Sequence, residues 1–168
     1  MPLQIINSFA TWILKKRIHQ MELFLKYPHE VQDELLLSLI KSAENTQIGR
    51  KYDFSSMKNY TTFSDRIPVS TYEELEPLIE LTRKGEQNVF WHSNIKWFAK
   101  SSGTTNAKSK FIPVSSEALE NCHYKASKDL LCLYLNNNED SQLFTGKSLR
   151  LGGSKQLYED NNTFFGDL

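Results

Sequence analysis

Ser101, Ser102, Gly103, Thr104, Thr105, Asn106, Ala107, Lys108, Ser109 and Lys110, followed by Phe111, Ile112 and Pro113, form the stretch densest in groups that can hold an anion. The hydroxyls of Ser101, Ser102, Thr104 and Thr105 can each donate a hydrogen bond. Gly103 lets the backbone curl, so that successive N–H groups converge into an anion-binding nest. Lys108 and Lys110 add mobile positive charge. The chemistry these residue types suit is the holding of a polyphosphate. The spacing is neither the GxxxxGK[ST] of a Walker loop nor a dinucleotide GxGxxG. By composition alone the same run also reads as a polar surface turn between two strands.

The flanking elements must present that run. Residues 89–92 and 95–100 are short and rich in aromatic and β-branched side chains, which predicts two strands turning at Ser93-Asn94, and 111–114 predicts a third. Ser115 or Ser116 then opens a helix to about Leu135, with Leu119, Cys122, Ala126, Leu130 and Leu133 on its apolar face. Upstream, Ile6, Phe9, Ile13, Ile18, Met21 and Leu25 describe one helical stripe ending before Pro28, and a second helix is expected over 30–44. Gly49 opens a polar connection. Ser70 and Glu73 have the spacing of a capping box, while Pro77 argues for a later helix start. Gly85 follows Arg83 and Lys84 as a helix-ending glycine. A further strand is expected at 148–151. Helices first, then strands alternating with a helix, point to an α/β or α+β fold.

Composition narrows the function classes. The 168 residues can bury one ordinary core, and 20 basic against 20 acidic residues give no general attraction for nucleic acid or an anionic membrane. Cys122 and Cys132, in one predicted helix, would lie about 15 Å apart, beyond disulfide reach, and read as small core residues of a reducing compartment. No CxxC pair or histidine cluster marks a metal site. Lys15, Lys16 and Arg17 interrupt the first apolar run before it could span a bilayer, and the start lacks the pattern of a signal peptide, so a cytoplasmic location is expected.

The whole string resembles the first adenylate-forming motif of the GH3 family, and within that family a bacterial acyl-adenylating member. Ser101, Ser102, Gly103, Thr104 and Thr105 match the head of the motif, Lys110 takes the basic position before the hydrophobic pair, and Pro113 ends it. Thr46, Gly49, Arg50 and Tyr52 resemble the family's early T-x-(Y/I)-G segment. Phe63, Ile67, Pro68, Val69, Tyr72 and Glu73 resemble its F-x-x-x-(V/I)-P-V-x-x-Y-E segment, and Gly85 the glycine before the strand leading into the loop. Asn106-Ala107 stands where glycine is common, and Lys108 is an extra cation.

The resemblance implies an α/β fold, the N-terminal part of an adenylate-forming large domain, with a helical N-terminus followed by a mixed sheet. It implies that residues 1–168 are one incomplete region of a larger adenylating domain, whose later Tyr/Ser/Glu and Tyr-Arg-x-Gly-Asp motifs have no match here. The implied ligase activates a small carboxylic acid with ATP and Mg²⁺, giving an acyl-adenylate and pyrophosphate, and an amine such as an amino acid can then take the acyl group. Lys110, Thr104 and Thr105 are the implied catalytic residues, and Ser101, Ser102, Gly103, Thr104, Thr105, Asn106 and Lys110 the implied phosphate holders. No carboxylate can be assigned to the metal. Such a piece is expected to be inactive alone and prone to associate with itself through exposed core residues. Two other readings stay open: an interaction module whose N-terminal helices dock a partner, and a small phosphotransfer enzyme complete at this length.

Overall fold

The computed structural model describes residues 2–101, 109–147, 149, 155–158 and 163–166. The chain divides into two compact units, one of Met1–Val31 with Glu117–Leu151 and one of Gln32–Ser116 with Gly152–Leu168.

In the first unit, α1 (Pro2–Lys15) and α2 (Ile18–Lys26) pack against α8 (Lys125–Asn137). The single helix expected over 6–25 is broken at Lys16 and Arg17. There the Arg17 guanidinium grips Asp129 of α8, Nε to Oδ1 at 2.6 Å and Nη2 to Oδ2 at 3.1 Å. A bidentate pair of this kind fixes direction as well as energy. The hydrogen bond from Arg17 holds the Asp129 carboxyl below the usual carboxylate range. α1 turns Asn7, Ala10, Thr11 and Leu14 to its shielded side. Asn7 bonds the backbone at Ser141 and Phe144, its Nδ2 donating at 3.1 Å and its Oδ1 accepting at 3.3 Å. The anticipated stripe is therefore corrected: Ile6, Phe9, Ile13 and Leu25 are exposed, because a small and polar face of α1 makes the close approach.

A π-helical stretch (Leu119–Tyr124) separates α7 (Ser116–Ala118) from α8. Its i→i+5 bonding breaks the 3.6-residue phase on which the apolar face of that helix was drawn. Cys132 and Leu135 are buried, whereas Leu130 and Leu133 are exposed. Cys122 is exposed too, against the expectation of two core cysteines.

The second unit starts from α3 (Pro28–Ala43), whose last turns enter it. Ile40 and Ala43 join Phe54 and Met57 in a core onto which Leu36, Ile48, Tyr52, Phe63, Ile67 and Trp91 pack. The connection expected at Gly49 is instead a short helix, α4 (Gln47–Lys51). Thr46 caps it: the buried hydroxyl accepts from Gly49 N–H at 2.9 Å and donates to Ala43 O at 2.7 Å. The next two N–H groups of its first turn, Gln47 and Ile48, donate to the carbonyls of Asn88 and Val89 at 2.9 and 3.2 Å. That pairing explains why 89–92 is not a strand. Its backbone acceptors serve a helix start, and Asn88 reaches them through a left-handed φ of 61°. α5 (Tyr60–Arg66), capped by Asn59, was not anticipated.

α6 (Tyr72–Arg83) starts at a capping box one residue later than expected, on Thr71 and Glu74, with Thr71 N–H donating to Glu74 Oε2 at 2.7 Å. Pro77 thus lies inside the helix rather than near its start. Gly85, at φ 95°, ends it as anticipated, with Glu86 N–H on Leu81 O and Gly85 N–H on Thr82 O, both at 3.0 Å.

Among the described residues the sheet has four strands in the order β2-β1-β4-β3. β1 (Trp97–Lys100) pairs antiparallel with β2 (Phe111–Val114) and parallel with β4 (Thr163–Gly166), and β4 pairs antiparallel with β3 (Lys155–Tyr158). The strand expected at 148–151 lies outside the described residues apart from Leu149, and β3 and β4 were not foreseen. Helical N-terminus followed by mixed sheet is the architecture observed.

Gly49 is the position least able to change. A Cβ there would lie 2.0 Å from Ala43 O and 2.8 Å from the Glu44 carbonyl group, all backbone atoms. Gly49→Ala is expected to cost about 3 kcal/mol, the upper end of overpacking penalties, as measured by urea unfolding against the parent.

Candidate functional site at the mouth of the β1–β2 connection

Ser101 and Lys110 close the connection between β1 and β2. Ser101 N–H donates to Lys110 O at 2.9 Å, and Lys110 N–H donates to the Ser101 hydroxyl at 3.2 Å in place of a backbone carbonyl. One lone pair of Ser101 is thereby used, while its O–H remains a donor. Residues 102–108, which include the anticipated phosphate holders Ser102, Gly103, Thr104, Thr105 and Asn106, lie outside the described residues.

Because Ser101 and Lys110 are a hydrogen-bonded pair, the alternation of an antiparallel ladder turns the N–H and C=O of Phe111 away from β1. Among the described residues β2 is the edge of the sheet, and these groups face no strand. The Tyr72 hydroxyl meets both: it accepts from Phe111 N–H at 3.0 Å and lies 3.5 Å from Phe111 O, to which it donates. Two residues on, Pro113 occupies the next outward position, where its missing N–H leaves no donor on the edge.

Tyr72 is the first residue of α6, so this contact sets Glu73 beside Lys110. The Lys110 ammonium donates to Glu73 Oε1 at 3.0 Å and lies 4.8 Å from the centre of the Tyr72 ring. Both partners of the ion pair face solvent, with side-chain exposures of 43% for Lys110 and 67% for Glu73, which places the pair in the weak class. Donation from Lys110, and next from the backbone N–H of Glu73 itself, holds the Glu73 carboxyl below the usual carboxylate range. Whatever this pairing contributes is present above that range and is lost as the pH falls through it.

Two more cations stand over aromatic rings of the sheet. The Arg83 guanidinium lies 4.1 Å from the Phe111 ring centre and pairs with Glu80, and Lys100 Nζ lies 5.8 Å from the centre of Phe165. Phe111 and Phe165 meet edge to face at 5.7 Å. Arg83, Lys100, Phe111 and Phe165 thus form a cation–aromatic cluster on the sheet, while Lys110, one residue before Phe111, stands at the hairpin mouth with Glu73 and Tyr72. His92 and His123 are exposed. Among the described residues no three His, Cys, Asp or Glu side chains form a group that could hold a metal ion. No described helix is long and apolar enough to cross a membrane.

A helical N-terminal region leading into a small mixed sheet, with a hydroxyl- and lysine-bearing connection between its first two strands, is the N-terminal architecture of an adenylate-forming enzyme. The chain belongs to the GH3 family: residues 17–163 match the GH3 family N-terminal domain. Indole-3-acetic acid-amido synthetase GH3.2 of Arabidopsis thaliana is 29% identical over 106 residues, covering 62% of this chain and 19% of that protein. Jasmonoyl–L-amino acid synthetase JAR4 of Nicotiana attenuata is 27% identical over 144 residues, covering 83% of this chain and 24% of that protein. Among solved structures, the GH3.15 acyl acid amido synthetase superposes with a TM-score of 0.76 at 21% identity, over 91% of this chain and 27% of that one. The chain thus spans about a quarter or less of the length of these curated relatives.

These matches correct the bacterial assignment. The similar proteins are plant acyl-acid amido synthetases. The motif residues that carried the resemblance are those that suit phosphate chemistry, which is common to a family and says nothing of lineage.

The structure adds Tyr72 and Glu73 to the site. Both stood in the matched Y-E segment, but no sequence spacing ties them to Lys110, 37 positions away. Tyr72→Phe leaves the Phe111 N–H without its acceptor. Hydrogen exchange at that amide is expected to rise about tenfold, the equivalent of about 1.4 kcal/mol, with the β1–β2 ladder otherwise protected as in the parent.

Proposed function

We propose that this chain is the ATP-phosphate-binding portion of an acyl-acid amido synthetase. The whole protein would activate a small carboxylic acid as its adenylate and pass the acyl group to an amine such as an amino acid. The observation that carries this reading is the Lys110 ammonium, held over the Tyr72 ring beside the closing pair Ser101–Lys110. It sits at the base of the Ser101-Ser102-Gly103-Thr104-Thr105 run, in a chain of the GH3 family. Relatives in the family, an indole-3-acetic acid-amido synthetase and a jasmonoyl–L-amino acid synthetase, supply the reaction class.

In this reading residues 1–168 are one incomplete region of a larger adenylating domain, inactive alone, in a cytoplasmic protein. Carboxylate attack on the α-phosphorus forms the acyl–phosphate bond and expels pyrophosphate, on which negative charge develops. Lys110 would supply the ammonium that meets that charge, while Ser101, Ser102, Gly103, Thr104, Thr105 and Asn106 would offer hydroxyl, side-chain amide and backbone donors to the phosphate oxygens. Lys110, Thr104 and Thr105 are the residues proposed to act on the transferring group. Mg²⁺ bound with the nucleotide would neutralise phosphate charge.

Calorimetric titration of the chain with ATP·Mg tests the reading. Saturable binding is expected, weakened about 10- to 100-fold by Lys110→Ala, the equivalent of a charged hydrogen bond, without a fall in Tm. A folded chain with no affinity for ATP, or equal affinities for the two proteins, would overturn it.

A further inference from the structure

The ion pair at the hairpin mouth has a use beyond holding α6 to β2. Lys110 is the cation best placed to meet a phosphate, yet its ammonium is already on Glu73 Oε1 at 3.0 Å. The two halves of its setting differ in kind. Tyr72 is partly buried and bound to the backbone of Phe111, so its ring is a fixed support 4.8 Å beneath the ammonium. Glu73 is exposed, on the first turn of a helix whose capping box is made by its neighbours Thr71 and Glu74. Beyond Lys110, its carboxylate is held only by its own backbone N–H and by Thr71, both at the exposed helix start. Pairs this exposed are weak, far weaker than what a triphosphate carrying several negative charges can offer a lysine.

Resting on the phosphate-binding reading above, we propose that Glu73 is an exchangeable counter-anion for Lys110. It keeps the ammonium over the Tyr72 ring in the absence of nucleotide and yields it to a phosphate oxygen on binding. Lys110 is thus prepositioned by Tyr72 and occupied by Glu73, and affinity for phosphate is set below what the lysine alone would give. A carboxylate that helped to bind nucleotide would have the opposite effect on affinity, so the sign of the change separates the two roles.

The test is titration of the full chain with ATP·Mg and with inorganic triphosphate, for the parent, Glu73→Gln, Glu73→Asp, Lys110→Ala and the double variant Glu73→Gln/Lys110→Ala. Glu73→Gln is expected to bind about two- to fivefold more tightly, with Tm unchanged or slightly lower, because a carboxylate at a helix start is mildly stabilising. Glu73→Asp should return to parental affinity, and the gain should be largely absent in the Lys110→Ala background. Equal or weaker binding by Glu73→Gln, or the same gain without Lys110, would overturn the exchange.

A second readout needs no nucleotide. Acylation of Lys110 by an amine-selective reagent, followed by peptide mass spectrometry, is expected to be about two- to fivefold faster in Glu73→Gln, since the amine is released from its partner. An unchanged rate overturns the pairing itself. If neither parent nor Glu73→Gln binds triphosphate, the phosphate reading and the exchange both fall, and the acylation rates alone then report whether Glu73 held the amine.

Discussion

An edge strand must do something with the backbone groups that face away from its sheet. In β2 those groups belong to Phe111, and one hydroxyl, that of Tyr72, meets both of them. Much of the site follows from this contact. It fixes the first turn of α6 against the first residue of β2, which brings Glu73 to Lys110 and sets the Tyr72 ring beneath the ammonium. Pro113 finishes the same edge by removing a donor. The outward N–H and C=O of Phe111 are taken and Pro113 offers no donor, and the charge at the hairpin mouth is placed in the same act.

The approach to β1 is secured from another side. Thr46 joins the end of α3 to α4 through a single buried hydroxyl, and the first N–H groups of α4 take the carbonyls of Asn88 and Val89. Gly49 permits the close approach of α4 to the backbone at Ala43 and Glu44. The segments that resembled the GH3 family outside the phosphate loop therefore have separate physical duties. The Thr46–Gly49 segment anchors the chain entering β1, and the Tyr72–Glu73 segment anchors the start of β2. Both ends of the connection are held by residues far away in sequence.

Local signals made part of this legible and long-range pairing hid the rest. Gly85 could be read because a helix end needs a left-handed residue there, and β2 because its side chains are β-formers beside a proline. The capping box was misplaced by one residue because Ser70–Glu73 and Thr71–Glu74 have the same spacing, and only the fit of Tyr72 to Phe111 selects between them. Val89 and its neighbours have strand-like side chains, but their carbonyls are claimed by α4. In the first unit the apolar stripe of α1 was visible, yet Asn7 and Thr11 face inward while Phe9 and Ile13 do not. The π-helical stretch shifted the face of α8 for a reason that periodicity cannot show. Of the site itself, Lys110 and Ser101 were named from the motif, whereas the role of Glu73 required knowing which element lies across from β2.

The central claim is that the Lys110 ammonium is the cation a nucleotide's phosphates meet at the mouth of this hairpin. A crystal structure of the chain with a non-hydrolysable ATP analogue addresses it most directly. The account predicts Lys110 Nζ about 2.7–3.2 Å from a phosphate oxygen, with Glu73 swung away and Tyr72 still on Phe111. An analogue bound elsewhere, or bound while Lys110 stays on Glu73, would contradict it.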